Sequence, residues 1–119
     1  MNNRSRGLQT VRKVKAILQK RGETVEGPGY KPLFVKGKMI ACHADFFNAY
    51  DLIAFSKTKC LYGIQVCSQE NKQRNARKIY DCGNDGELWC YMGKEGFNVY
   101  LVTSLDDKMH IELIEENVK

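Results

Sequence analysis

Two apolar runs joined by a three-residue polar turn constrain this chain more than any other feature. Tyr50 to Phe55 reads YDLIAF, Lys57-Thr58-Lys59 follows, and Cys60 to Cys67 reads CLYGIQVC. Both runs are nearly continuous in apolar residues and too short for buried helices, so they read as strands covered on both faces. The short link between them predicts an antiparallel hairpin.

The flanking sequence supplies the cover. Residues 8–21, LQTVRKVKAILQKR, place Leu8, Val11, Val14 and Leu18 on one face, with Arg12, Lys13, Lys20 and Arg21 turned outward. This predicts an amphipathic helix with a basic outer face, ended by Gly22. A short strand over Glu23 to Glu26 is broken by Gly27-Pro28-Gly29. Residues 33–42 read as a strand or as a hairpin about Lys36-Gly37-Lys38, a loop covers Ala41–Ala44, and Asp45 to Ala49 suits a short helical turn. Residues 69–80, QENKQRNARKIY, predict a polar helix with Ala76, Ile79 and Tyr80 facing inward. After a loop from Asp81 to Gly86, strands are expected at 87–92, 97–103 and 109–115. The order helix, strands, helix, strands predicts an α/β domain with a mixed central sheet.

Length and composition bound the rest. The chain has 119 residues, 43% of them hydrophobic and 28% charged, which predicts one globular domain over 1–119. No apolar run approaches the roughly 18 residues of a membrane helix, and MNNRSRG lacks the apolar core of a signal peptide. The expectation is a soluble, cytoplasmic protein without membrane partners. Five cysteines (Cys42, Cys60, Cys67, Cys82 and Cys90) are an odd number without CxxC spacing, and only His43 and His110 could join them. That pattern favours buried free thiols over a disulfide framework or a zinc site.

The net charge of +5 conceals a gradient: residues 1–38 carry +8, residues 39–80 carry +3, and residues 81–119 carry −6. A basic front half suits a polyanionic partner, and Arg12, Lys13, Arg74, Arg77 and Lys78 on the two predicted helices are the candidate phosphate contacts. Scattered surface charge for solubility is the competing explanation. Trp89 and Tyr91, two apart on one strand face, suit core packing better than base stacking.

Asp51 opens an otherwise apolar strand, so its carboxylate must pair, bind a metal or sit at the strand's wet end. Gln65 is as far from the hairpin turn as Asp51, which sets the two side by side. Asp45 can fold back onto the same end. Two acids and an amide oxygen form a hard-oxygen set suited to Mg²⁺ or Mn²⁺. The alternative reading makes Asp45 a helix cap and Gln65 a half-exposed strand residue.

Asp45-Phe-Phe-Asn-Ala-Tyr-Asp51-Leu-Ile-Ala-Phe, a turn, then Tyr62-Gly-Ile-Gln65-Val-Cys67-Ser68 resembles the core of the PD-(D/E)XK nuclease superfamily. It is most similar to the small archaeal and phage nucleases related to Holliday junction resolvases. Gly96-Phe97-Asn98-Val99-Tyr100 fits the ending of their pattern, and the resemblance spans roughly residues 8–103. It implies a restriction-endonuclease-like three-layer fold, with the mixed sheet flanked by helices. It also implies metal-dependent hydrolysis of DNA phosphodiesters, branched DNA among the substrates, Mg²⁺ or Mn²⁺ as cofactor and a homodimer. By this resemblance Asp51 matches the metal-binding aspartate and Gln65 the D/E position. The lysine of the family motif falls at Cys67, which carries no positive charge; Lys72, and further along Lys78, are the candidates for a migrated lysine. The acidic residue of the first helix is also absent near Gln9 and Val11. Two other readings stand beside a nuclease: a catalytically degenerate nucleic-acid-binding module on the same fold, and an interaction protein whose acidic half faces a basic partner.

Overall fold

A computed structural model describes residues 3–43, 45–47, 49–83 and 85–119, with side chains described outside 3–6, 30–35 and 39–43. The first helix, α1 (Asn3–Lys20), starts five residues earlier than its apolar spacing predicts and buries Val11, Val14 and Leu18. Its last turns close onto Gly22, whose φ of 90° suits glycine. The short strand β1 (Thr24–Glu26) follows, then a hairpin of β2 (Tyr30–Val35) and β3 (Lys38–His43) that turns at Lys36-Gly37 and forms a separate two-stranded sheet.

The apolar runs form β4 (Leu52–Phe55) and β5 (Tyr62–Ser68), paired antiparallel as expected. A 3₁₀ turn (Gln69–Asn71) leads into α2 (Lys72–Cys82), which ends at Gly83 in the left-handed conformation. The chain then returns to the sheet as β6 (Gly86–Tyr91), β7 (Phe97–Leu105) and β8 (Lys108–Val118). The six-stranded sheet has the order β1-β4-β5-β6-β7-β8. Only β5 and β6 run parallel, because α2 carries the chain back across the sheet between them; the other neighbours are antiparallel.

Alternation along the strands divides the core. One face gives Leu52, Ala54, Ile64, Trp89 and Val99 to α1, while the other gives Cys67, Leu88, Cys90 and Val102 to Ala76 and Ile79 of α2. This is a mixed α/β domain with a helix on each sheet face. Among the described residues, no helix is long and apolar enough to cross a membrane.

Several local expectations change. Phe46 and Tyr50 exchange backbone hydrogen bonds, Phe46 N to Tyr50 O at 2.7 Å and Tyr50 N to Phe46 O at 3.0 Å, so an isolated β-bridge stands where a short helical turn was expected over 45–49. Positive φ at Phe47 accommodates it. β8 extends to Val118, three residues beyond the apolar run, because pairing with β7 carries exposed Glu116 and Asn117 as far as the bond partners last. The expected loop 41–44 is strand as far as His43, because β3 stays paired with β2, and the expected loop 81–86 is shortened by α2 running to Cys82 and β6 starting at Gly86; Ala44, Asn48 and Asn84 lie outside the described residues.

Candidate functional site

The ladder that pairs Leu52 with Ile64 sets Asp51 opposite Gln65. Asp51 N donates to Ile64 O at 2.9 Å, and Val66 N donates to Asp51 Oδ2 at 2.9 Å, so the carboxylate is held by the strand that carries Gln65. Both residues are 5% exposed. The position of Asp51 is fixed from behind by Tyr50, whose ring lies across Gly63 and Gly86, register partners on β5 and β6. A Cβ on either glycine would stand 2.4–2.6 Å from that ring, so the slot exists only because both residues lack one. Burial pushes the Tyr50 hydroxyl up to about 12, and Cys82 and Asp85 act in the same direction.

Burial also pushes Asp51 up to about 7 against the Val66 hydrogen bond; the neighbouring Asp45 carboxyl raises it further and Lys78 lowers it. Asp45 itself is half-buried, and Lys78 Nζ lies 3.9 Å from its Oδ2. The three oxygen-bearing residues named by the sequence are thereby gathered at the start of β4, with Lys78 reaching in from α2.

Gln65 is oriented by a residue that sequence reasoning did not single out. Its Nε2 donates to Asn75 Oδ1 at 3.0 Å, and Asn75 Nδ2 donates to Asn71 O at 2.9 Å. Gln65 Oε1 is left buried without a hydrogen-bond partner. An orphaned acceptor beside two carboxyl groups is the arrangement a hard cation satisfies, so the residues present fit Mg²⁺ or Mn²⁺. Among the described residues, no group of three or more His, Cys, Asp and Glu side chains converges, so such a site rests on two acids and one amide oxygen.

Lys72 takes a different place from Lys78. Its Nζ sits 4.4 Å from the centroid of the Tyr100 ring, and its charge acts on Cys67 and Cys90. Cys67 donates to or accepts from Cys90 across 3.3 Å between the sulfurs. That contact, followed by burial, raises Cys67, while the same contact lowers Cys90. Of the two candidate lysines, Lys78 therefore stands by the acids and Lys72 by the thiols.

The basic helices occupy opposite faces of the sheet. On α2, Arg74 is exposed, and Arg77 is drawn along the helix to Asp81 at 3.3 Å and over the Tyr80 ring. On α1, Arg12 is exposed, and Lys13 Nζ lies 5.6 Å from the centroid of the Tyr91 ring. Trp89 is fully buried, as expected, whereas Tyr91 is 38% exposed at the end of β6 and opposite Ser68 at the end of β5. Lys13, Tyr91, Lys94 and Lys119 line a groove of about 320 Å³ there. This bank of cations about an exposed ring lies at the sheet end toward which Gln65 and Cys67 lead.

No family model, curated protein or solved structure matches this chain. What the chain can do therefore rests on its own residues. They provide a buried aspartate whose pKa is raised by burial, a half-buried partner acid, an amide held by Asn75, a lysine at the acids and a groove beside Tyr91 bordered by three lysines.

Proposed function

We propose that this protein is a metal-dependent DNA endonuclease of the Holliday junction resolvase-like type on a restriction-endonuclease-like domain, with Asp51, Gln65 and Asp45 holding Mg²⁺ or Mn²⁺. The observation that carries this reading is Gln65 Oε1, buried, unpartnered and turned by Asn75 across from Asp51. Asp51, Asp45 and Gln65 would hold the divalent cation, which would supply polarisation of the phosphate and a water of lowered pKa. The chain's own residues do the remaining work. Asp51 is held by Val66 N–H in one orientation, so its second oxygen is presented in a fixed direction. Lys78, 3.9 Å from Asp45, brings the positive charge that Cys67 lacks to the edge where a phosphate would lie. In support, α1, the antiparallel neighbours β1, β4 and β5, the crossover helix α2 and the parallel β6 follow in chain order around the β2–β3 hairpin, with Asp51 directly before β4 and Gln65 on β5.

DNA is the substrate class because the cations nearest this sheet end are arranged for a phosphate backbone. Lys13, Lys94 and Lys119 flank Tyr91, an exposed ring on which an unpaired base can stack. On the opposite sheet face, exposed Arg74 adds positive charge beside α2, where Arg77 is paired with Asp81.

A second reading, a binding module that has lost catalysis, is favoured by Cys67, a neutral buried thiol where the family motif carries lysine. A cleavage assay on labelled duplex, single-stranded and branched DNA, with Mg²⁺ or Mn²⁺ and with Asp51→Ala in parallel, separates the two. Metal-dependent cutting lost in Asp51→Ala is the result expected of the nuclease. Salt-sensitive binding without cutting, retained in Asp51→Ala, establishes the binding module in its place.

A further inference from the structure

Cys67 and Cys90 are direct register partners on the parallel strands β5 and β6, and their Sγ atoms are 3.3 Å apart. Adjacent strands lie ≈ 4.7–4.9 Å apart, inside the ≈ 4.4–6.8 Å window of Cα separations that a disulfide spans. Both side chains point to the α2 face and are packed with Ala76, Ile79 and Leu88, so neither sulfur can swing away to another partner. From 3.3 Å, bond formation needs a further approach of about 1.2 Å. Cys67 is 9% exposed and Cys90 is fully buried, so an oxidant reaches Cys67 first and finds the second sulfur already in place. The other cysteines with described side chains lie elsewhere: Cys60 is exposed before β5, and Cys82 is at the end of α2.

We propose that Cys67 and Cys90 form a peroxide-oxidised dithiol whose disulfide staples β5 to β6 behind the Asp51–Gln65 pair. The Cys67 proton passes across the 3.3 Å contact through Cys90 Sγ to the departing hydroxide as Cys67 Sγ attacks one oxygen of hydrogen peroxide and the O–O bond breaks, so that one water leaves and the Cys67 sulfenic acid remains. Cys90 Sγ then attacks the Cys67 sulfur, the S–O bond breaks, and a second water leaves with the remaining thiol proton. Two thiols and one peroxide become one disulfide and two waters. Peroxide is the oxidant because it is small enough to reach a sulfur this deeply buried. The bond constrains the strand that carries Gln65, two residues before Cys67.

The test is peptide mapping of the wild-type protein by mass spectrometry after hydrogen peroxide treatment, with and without later reduction by dithiothreitol. The expected result is a Cys67–Cys90 linked peptide lighter by two hydrogens than its reduced parts, reversed by dithiothreitol, in monomeric protein. In Cys90→Ala the resolving sulfur is gone, so Cys67 takes up oxygen and no internal link forms. Oxygen adducts on Cys67 with Cys90 still free in the wild-type protein overturn the proposal, and so does a failure of Cys67 to react while Cys60 is oxidised. Mn²⁺ binding, measured separately on reduced and oxidised protein, is independent of that result. A linked peptide with no Mn²⁺ binding in either form upholds the dithiol and removes the metal reading alone.

Discussion

Gln65 Nε2 and Asn75 Oδ1 meet at 3.0 Å, and that single hydrogen bond decides which end of the buried Gln65 amide is engaged by α2 and which is left without a partner. A free glutamine presents either end by turning through half a rotation. Asn75, buried and anchored to the backbone of Asn71, removes that choice. Groups that orient a ligand in this way typically contribute 10–100-fold in metal affinity. Asn75→Ala is therefore expected to weaken Mn²⁺ binding by about tenfold or more. Titration calorimetry of the variant against the wild type measures it. Unchanged affinity would mean that Gln65 does not coordinate through Oε1.

The raised Asp51 gives the metal-free protein a characteristic pH dependence. Its carboxyl titrates near 3.8 when unfolded and at about 7 when folded, so between those values the folded state holds the extra proton. Stability then falls as pH rises from about 4 to about 7 and levels above that. Asp51→Asn carries no such proton. The difference in unfolding free energy between wild type and Asp51→Asn, measured by urea at several pH values, should move in favour of the variant across this window. A difference independent of pH would mean that Asp51 is ionised throughout.

The Tyr50 ring against Gly63 and Gly86 makes the approach of the chain to Asp51 sensitive to one methyl group. In Gly63→Ala the new Cβ falls 2.4 Å from the ring, a distance no rotamer of alanine relieves. Tyr50 must move, at a cost of about 1–3 kcal/mol from overpacking. Urea unfolding should register that loss, and Mn²⁺ affinity should fall with it because Asp51 follows Tyr50 directly. A variant as stable as the wild type would show that the ring can leave the slot freely.

These relationships mark where sequence is informative and where it stops. The hairpin of β4 and β5 was readable because two apolar runs and a short turn leave few ways to pair, and equal spacing from the turn was enough to set Asp51 beside Gln65. The inward residues of α1 followed from helical spacing. Asn75 was not readable: it sits in a polar helix among Gln73, Arg74 and Arg77, and only the crossover that lays α2 over β5 turns it toward Gln65. Cys67 and Cys90 are 23 residues apart in the chain, and their meeting depends on the parallel register of β5 and β6. The two basic helices read as one surface in sequence, yet the sheet between them holds them on opposite faces.

That separation yields the last prediction. If DNA lies along the sheet end that carries Tyr91, Lys13 contributes directly, whereas Arg77 is already engaged by Asp81 at 3.3 Å and contributes less. Lys13→Ala should lower affinity on all sequences alike and reduce the slope of log affinity against log salt by about 0.7–0.9, the loss of one phosphate contact. Tyr91→Ala should cost about 1–3 kcal/mol on single-stranded DNA, where a base is free to stack, and much less on intact duplex. Fluorescence anisotropy over a salt series with both substrates measures both effects. Equal losses on single strand and duplex would place Tyr91 outside the contact with bases and leave the lysines as a purely electrostatic surface.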